Sequence, residues 1–184
     1  GGHSDANGGM LVVDNADLYE QLYFIHNSVG NCMSVWDSYL VSRGMKTLEL
    51  RVREQCRTAL QVAEYLQQHP KIKRVLYPGL QSHTGHDIAQ RQMDGGFGAM
   101  LSVEIDADFE STKHVVASTR LFQLAVSLGA VESLISQPAS MSHASYDRED
   151  RIAHGIHDEL IRLSVGLEHG DDLIADLDEA LSIL

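Results

Sequence analysis

Cysteine, proline and positive charge are all scarce in this chain of 184 residues. Two cysteines, Cys32 and Cys56, form neither a CxxC pair nor a disulfide framework, which points to a reduced, cytoplasmic protein. Three prolines beside 15 glycines exclude a proline-rich linker and suit a globular α/β chain. Fourteen Lys and Arg stand against 26 Asp and Glu, a net charge of −12. No basic block or aromatic–basic ladder interrupts that balance, which argues against nucleic acid as a partner. No apolar run approaches the ~20 residues that span a bilayer, and nothing has the pattern of a signal peptide. The opening GGHSDANGGM has no initiator Met and starts inside a turn-rich motif, so it reads as a beginning cut out of something longer.

The apolar share of 43% is enough for a core, and its periodicity outlines the elements. Met10–Asp14 has the composition of a short buried strand. Asn15 can cap a helix from Ala16. Residues 28–35 read as a loop. A long amphipathic pattern then runs from Trp36 to about Gln68 and stops at Pro70. IKRVLYPGL reads as a strand entering a Pro-Gly turn. In GGFGAMLSVEID, Ala99, Leu101, Val103 and Ile105 alternate with polar residues, which predicts a sheet with one wetter face. Residues 108–118 are expected to be helical. A short strand breaks at Ser127–Gly129 into a helical turn, and residues 138–155 form a polar loop with a short helix near Arg148. The last strand holds Arg162, and Asp171 or Asp172 is expected to cap the final helix. The later part is thus a small α/β layer of antiparallel strands covered by helices.

Few residues offer chemistry outright. His83 and His86 sit three apart, as do His154 and His157, yet neither pair has a clear helix or a third ligand, and no metal site is assigned. Ser127 in AVSLG has no G-x-S-x-G elbow around it. DGGFG follows no strand–turn–helix signature, so its glycines read as entry into a strand rather than a phosphate cradle. Arg162 stands out. An arginine flanked by Ile161 and Leu163 in an apolar strand is costly unless something anionic meets it. An internal carboxylate could do so, or a substrate carboxylate gripped by the guanidinium. Spacing leaves both open.

Taken together, the motifs GGHSD, SYLVSRGMKTLELR, HPKIKRVLYPGL, QMDGGFGAMLS, SLGAVESLI, PASMSHA, LIRLSVGLE and DDLIADL resemble the pyridoxal-phosphate enzymes of cysteine and methionine metabolism over essentially the whole chain. That family includes cystathionine γ-synthase, cystathionine lyases, methionine γ-lyase and sulfhydrylases. The resemblance implies a fold-type I transferase, with residues 1–60 as the end of the large cofactor-binding domain and its connecting helix. Residues 61–184 would be the small carboxy-terminal domain. It implies γ-elimination or γ-replacement on sulfur amino acids or activated homoserine. Arg162 matches the arginine that binds the substrate α-carboxylate, and Ser127 and Val126 match the residues lining the same pocket. Val126 stands where cystathionine-handling members often carry glutamate, which favours a small or apolar distal group. GFGAMLSVEID and DSYLVSRG look most like the γ-synthase, and GNCMSVWD departs from the usual small-residue loop.

The same resemblance places the Schiff-base lysine just upstream of Gly1, and none of Lys46, Lys71, Lys73 and Lys113 has the matching context. The phosphate cup, the stacking aromatic residue and the pyridine-nitrogen aspartate would also precede this segment, so no cofactor contact is assigned on it. The implied protein is the carboxy-terminal half of a longer enzyme, inactive alone. Its implied partners are the amino-acid substrate, an amino-terminal half, and further copies in a homotetramer, with no nucleic acid or membrane. The other possibility is a non-catalytic module serving interaction or structure.

Overall fold

A computed structural model describes residues 2–184, so that Gly1 of the opening motif lies outside the described residues. The chain divides into two compact units, one reaching Leu48 and the other spanning Glu49–Leu184.

The first unit is built on two helices. Asn15 accepts the Leu18 N–H at 2.8 Å and starts α1 (Ala16–Val29), which ends where Gly30 takes the left-handed conformation at φ 73°. Ser34 caps α2 (Val35–Met45) by accepting the Asp37 N–H at 3.0 Å. The run Met10–Asp14 is not a strand. No strand forms among the described residues of this unit, so nothing pairs with it, and Met10, Leu11 and Val12 are all exposed. The α1 helix buries no residue, leaving Tyr19, Tyr23, Phe24 and Ile25 exposed along it.

The long amphipathic pattern is two helices rather than one. Beyond Met45 the Lys46 and Thr47 N–H groups bond three residues back, to Arg43 and Gly44, and α3 (Leu48–Gln67) begins afresh. Gly44, a weak helix former, sits beside the break.

The second unit is a five-stranded sheet of β1 (Ile72–Leu76), β2 (Met100–Ile105), β3 (Gln123–Leu124), β4 (Leu134–Ser136) and β5 (Leu160–Ser164), in the order β1-β2-β5-β4-β3. Three pairings are antiparallel, and β3 joins the edge parallel to β4. That edge replaces the helical turn expected after Gly129. Ile135 lies opposite Leu163, so Leu134–Ser136 is drawn into the sheet by an apolar neighbour.

Along β2 the buried positions alternate as the sequence predicted. Leu101, Val103 and Ile105, with Ile161, Leu163 and Val165, join one core with residues of α3, α5 (Phe109–Ser118) and α7 (Gly170–Leu181). Those helices contribute Ala59, Val62, Leu66, Val115, Leu173 and Leu177. Asp108 caps α5 by accepting the Ser111 N–H at 2.8 Å. The α7 helix opens instead at His169, which makes no side-chain cap bond. Gly170 already begins the helix, so Asp171 and Asp172 fall in its first turn, where their charge still favours the helix dipole. The short α4 (His86–Gln92) has no counterpart in the sequence pattern.

The polar loop carries α6 (Arg148–Ala153) and a compact ion cluster. Asp158 accepts from Arg151 Nη2 at 2.6 Å and from Arg148 Nε and Nη2 at 2.8 and 2.6 Å. Burial alone would raise its pKa, but the bonds from Arg151 and Arg148 outweigh that and hold the carboxyl below its ordinary 3.8. A carboxyl lowered in the folded state contributes stability above its unfolded pKa and loses it as pH falls through the folded value. Urea unfolding should therefore show stability declining below about pH 4. Asp158→Asn should be less stable at neutral pH and show a shallower acid decline; an unchanged acid slope would contradict this role.

Candidate functional site

Arg162 sits in the middle of β5, with Ser102 opposite it on β2 and Ser136 opposite it on β4. Two small neighbours leave room for a long side chain to cross the sheet face. The face is the one turned away from the apolar core, because Ile161 and Leu163 on either side point inward and are buried. Arg162 itself is half-buried.

Its Nη2 donates to the carbonyl oxygens of Val126 and Ser127, each at 2.9 Å. The structure thus brings Arg162, Ser127 and Val126 together. The contact runs through backbone carbonyls, while the Val126 side chain is exposed and the Ser127 hydroxyl takes no part. No aspartate or glutamate among the described residues pairs with Arg162. Neutral carbonyls orient a guanidinium without cancelling its charge. Two of its five N–H donors lie on Nη2, and three remain on Nη1 and Nε.

Sequence reasoning missed the residues that hold the 126–133 segment. Gly129, at φ 73°, donates its N–H to Ser164 Oγ at 2.9 Å. Gln55 Nε2 donates to Ala130 O at 2.8 Å and to Val165 O at 3.1 Å. Glu168 accepts from both the N–H and the hydroxyl of Ser133. Only Ser164 left a trace in the sequence, two residues beyond Arg162 on the same strand face.

The histidine pairs do not converge. His83 Nδ1 takes the Gly85 N–H, His86 Nδ1 bonds the Pro78 carbonyl, His154 Nδ1 bonds the Asp150 carbonyl, and His157 lies 3.3 Å from Glu104. No group of three or more metal-ligating side chains occurs among the described residues. A cavity of about 180 Å³ beside β1, lined by Arg74, Ser82 and His83 among others, includes neither Arg162 nor Val126 and Ser127.

A family model for Cys/Met metabolism PLP-dependent enzymes matches residues 1–182. The chain belongs to that family. It is 51% identical over 181 residues to the cystathionine β-lyase of Coxiella burnetii, covering 98% of this chain and 46% of that protein. It is 48% identical over 182 residues to the L-methionine γ-lyase of Fusobacterium nucleatum subsp. polymorphum, with the same coverage. Among solved structures, cystathionine γ-synthase from Xanthomonas oryzae pv. oryzae, in complex with aminoacrylate and cysteine, superposes with a TM-score of 0.90 at 45% identity. Cystathionine γ-lyase from yeast superposes at 0.93 and 42%. Each covers 98% of this chain, and this chain covers 46% of each. The chain therefore spans about half the length of the relatives it matches. No helix among the described residues is long and apolar enough to cross a membrane.

The family's cofactor is pyridoxal phosphate. The lysines of the sheet unit do not fit a bond to it at this site. Lys71 Nζ donates to the Leu181 carbonyl at 2.9 Å, Lys73 lies 3.3 Å from Asp106, and Lys113 lies 3.9 Å from Glu110. None of them reaches the Arg162 loop. The guanidinium of Arg162 offers no amine for a bond to the aldehyde of the cofactor.

Proposed function

We propose that this chain is the carboxy-terminal half of a pyridoxal-phosphate enzyme that cleaves or exchanges a γ-substituent of a sulfur amino acid or activated homoserine, and that Arg162 holds the substrate carboxylate. The observation that carries the reading is a guanidinium fixed in direction by two carbonyls, on the open face of β5, with no carboxylate partner in its own unit. A carboxylate arriving there meets Nη1 or Nε, so charge is neutralised without displacing the loop. Held at that end, the amino acid has its Cα and side chain fixed in space, which converts binding into orientation of the bond that breaks. The cofactor, when bound, supplies the electron sink for that chemistry.

Val126 and Ser127 line the approach to the arginine. The exposed Val126 side chain offers no charge to a distal ammonium, which favours a methylated or otherwise apolar sulfur substituent over a second amino-acid head. The amino-terminal half and further copies of the enzyme complete the assembly in this reading, with the protein working in the cytoplasm.

The test is reconstitution. The 184-residue chain is mixed with a pyridoxal-phosphate-binding half from the family and assayed for release of thiol and 2-oxo acid from methionine and cystathionine. The chain alone should release neither, and the mixture should release both, with methionine the better substrate. Turnover by the chain alone would contradict the reading, and so would a reconstituted assembly with no lyase or exchange activity on any sulfur amino acid or homoserine ester.

A further inference from the structure

We infer that Ser164 and Gln55 are positioning residues for Arg162: they tie the loop that aims the guanidinium to the strand that carries it. The inference rests on the carboxylate reading of Arg162 given above.

The direction of the Arg162 side chain is set by the carbonyls of Val126 and Ser127. Those carbonyls lie in a segment with little fixing it from within. Val126, Ser127 and Leu128 are exposed, and Gly129 sits in the left-handed region. Two buried side chains fasten it from outside. Ser164, 1% exposed, accepts the Gly129 N–H two residues after the second carbonyl. Gln55, 4% exposed and 75 residues away in sequence, spans from Ala130 O to Val165 O through one amide nitrogen.

Both ties end on the same element. Ser164 is two residues and Val165 three residues beyond Arg162, so loop and arginine are referenced to one short stretch of β5 and its exit. Beyond them the backbones run close: Leu167 donates to the Val131 carbonyl at 2.8 Å, and a Cβ on Gly166 would meet that oxygen. Removing the Ser164 hydroxyl leaves the Gly129 N–H without its acceptor and frees the turn that places both carbonyls. The charge of Arg162 stays, but its direction is no longer fixed, and a pre-aimed donor binds better than one that must be ordered on contact.

The experiment uses the 184-residue chain, acetate as the probe, and the side-chain ¹⁵N signals of Arg162 as the readout, assigned by their loss in Arg162→Met. In the native chain those signals should be distinct and should shift saturably with acetate. In Ser164→Ala they should broaden and move, and the acetate concentration for half-shift should rise about fivefold. Gln55→Met should act in the same direction, which keeps the test open if one variant fails to fold. Ser164→Thr, which keeps the hydroxyl, should restore the native titration. A loss of thermal stability in Ser164→Ala and Gln55→Met with Arg162 signals and half-shift unchanged would make the two residues merely structural and overturn the inference. Arg162 signals in the native chain that do not move with acetate would overturn the carboxylate reading itself, whatever Ser164→Ala does.

Discussion

Arg162→Met, in the chain reconstituted with a cofactor-binding half, should lower kcat/KM for an amino-acid substrate by about two orders of magnitude. Hydrogen bonds to a charged group contribute about 1.5–3 kcal/mol each, and the substrate carboxylate is left facing an apolar thioether. Much of the loss should appear in KM, because the carboxylate is bound in the ground state as well as in the transition state. A fall in kcat on top of it would report the orientation that the grip imposes on the reacting carbons. Arg162→Lys should recover part of the binding. It keeps the charge, yet an ammonium has no planar fork to satisfy two carbonyls and a carboxylate together. The melting temperature should move little, since Arg162 is half-buried and makes its bonds at the surface. Unchanged kinetics in Arg162→Met would contradict the assignment.

The largest stability effect is expected at Asp176 instead. This carboxylate, 7% exposed on α7, accepts the backbone N–H groups of Arg120, Leu121 and Phe122 at 2.7, 3.0 and 3.0 Å. Three consecutive donors from one turn converge on one side chain, and Phe122 beside them is 1% exposed in the core. Asp176→Ala strands those donors and should cost about 3–5 kcal/mol in urea unfolding. That is a large part of the 5–15 kcal/mol typical of a whole domain. Asp176→Asn keeps one acceptor oxygen and should fall between. The turn leads directly into β3 and on to Val126, so the alanine variant should also weaken the carbonyl grip on Arg162. A cost below about 1 kcal/mol would show that water replaces the carboxylate without loss.

These two residues show which parts of the molecule can be read from sequence. Arg162 was visible because a charge interrupts a period-two apolar pattern, which is a local signal. The cap at Asn15 was visible for a similarly local reason, as it serves an N–H three residues on. Asp176 was not visible. It lies among other acidic residues of an amphipathic helix, and its partners are more than 50 residues earlier. Gln55 was hidden likewise, joining carbonyls 75 and 110 residues away.

Two of the misread segments erred in opposite directions. Met10–Asp14 has strand composition but no strand to pair with in its unit, and composition does not report a partner. Leu134–Ser136 was too short to show its period, and Leu163 opposite Ile135 made it a strand. Both failures come from β structure depending on what lies alongside. The motif resemblance supplied the family and the role proposed for Arg162, while the backbone route by which Val126 and Ser127 touch it needed coordinates.

A crystal structure of the reconstituted enzyme with norleucine, an amino acid that has no γ leaving group, would test the account most directly. The carboxylate should lie within hydrogen-bonding distance of Arg162 Nη1 or Nε, with Nη2 still on the carbonyls of Val126 and Ser127. A carboxylate bound elsewhere, with Arg162 turned onto an aspartate or glutamate of the protein, would contradict it.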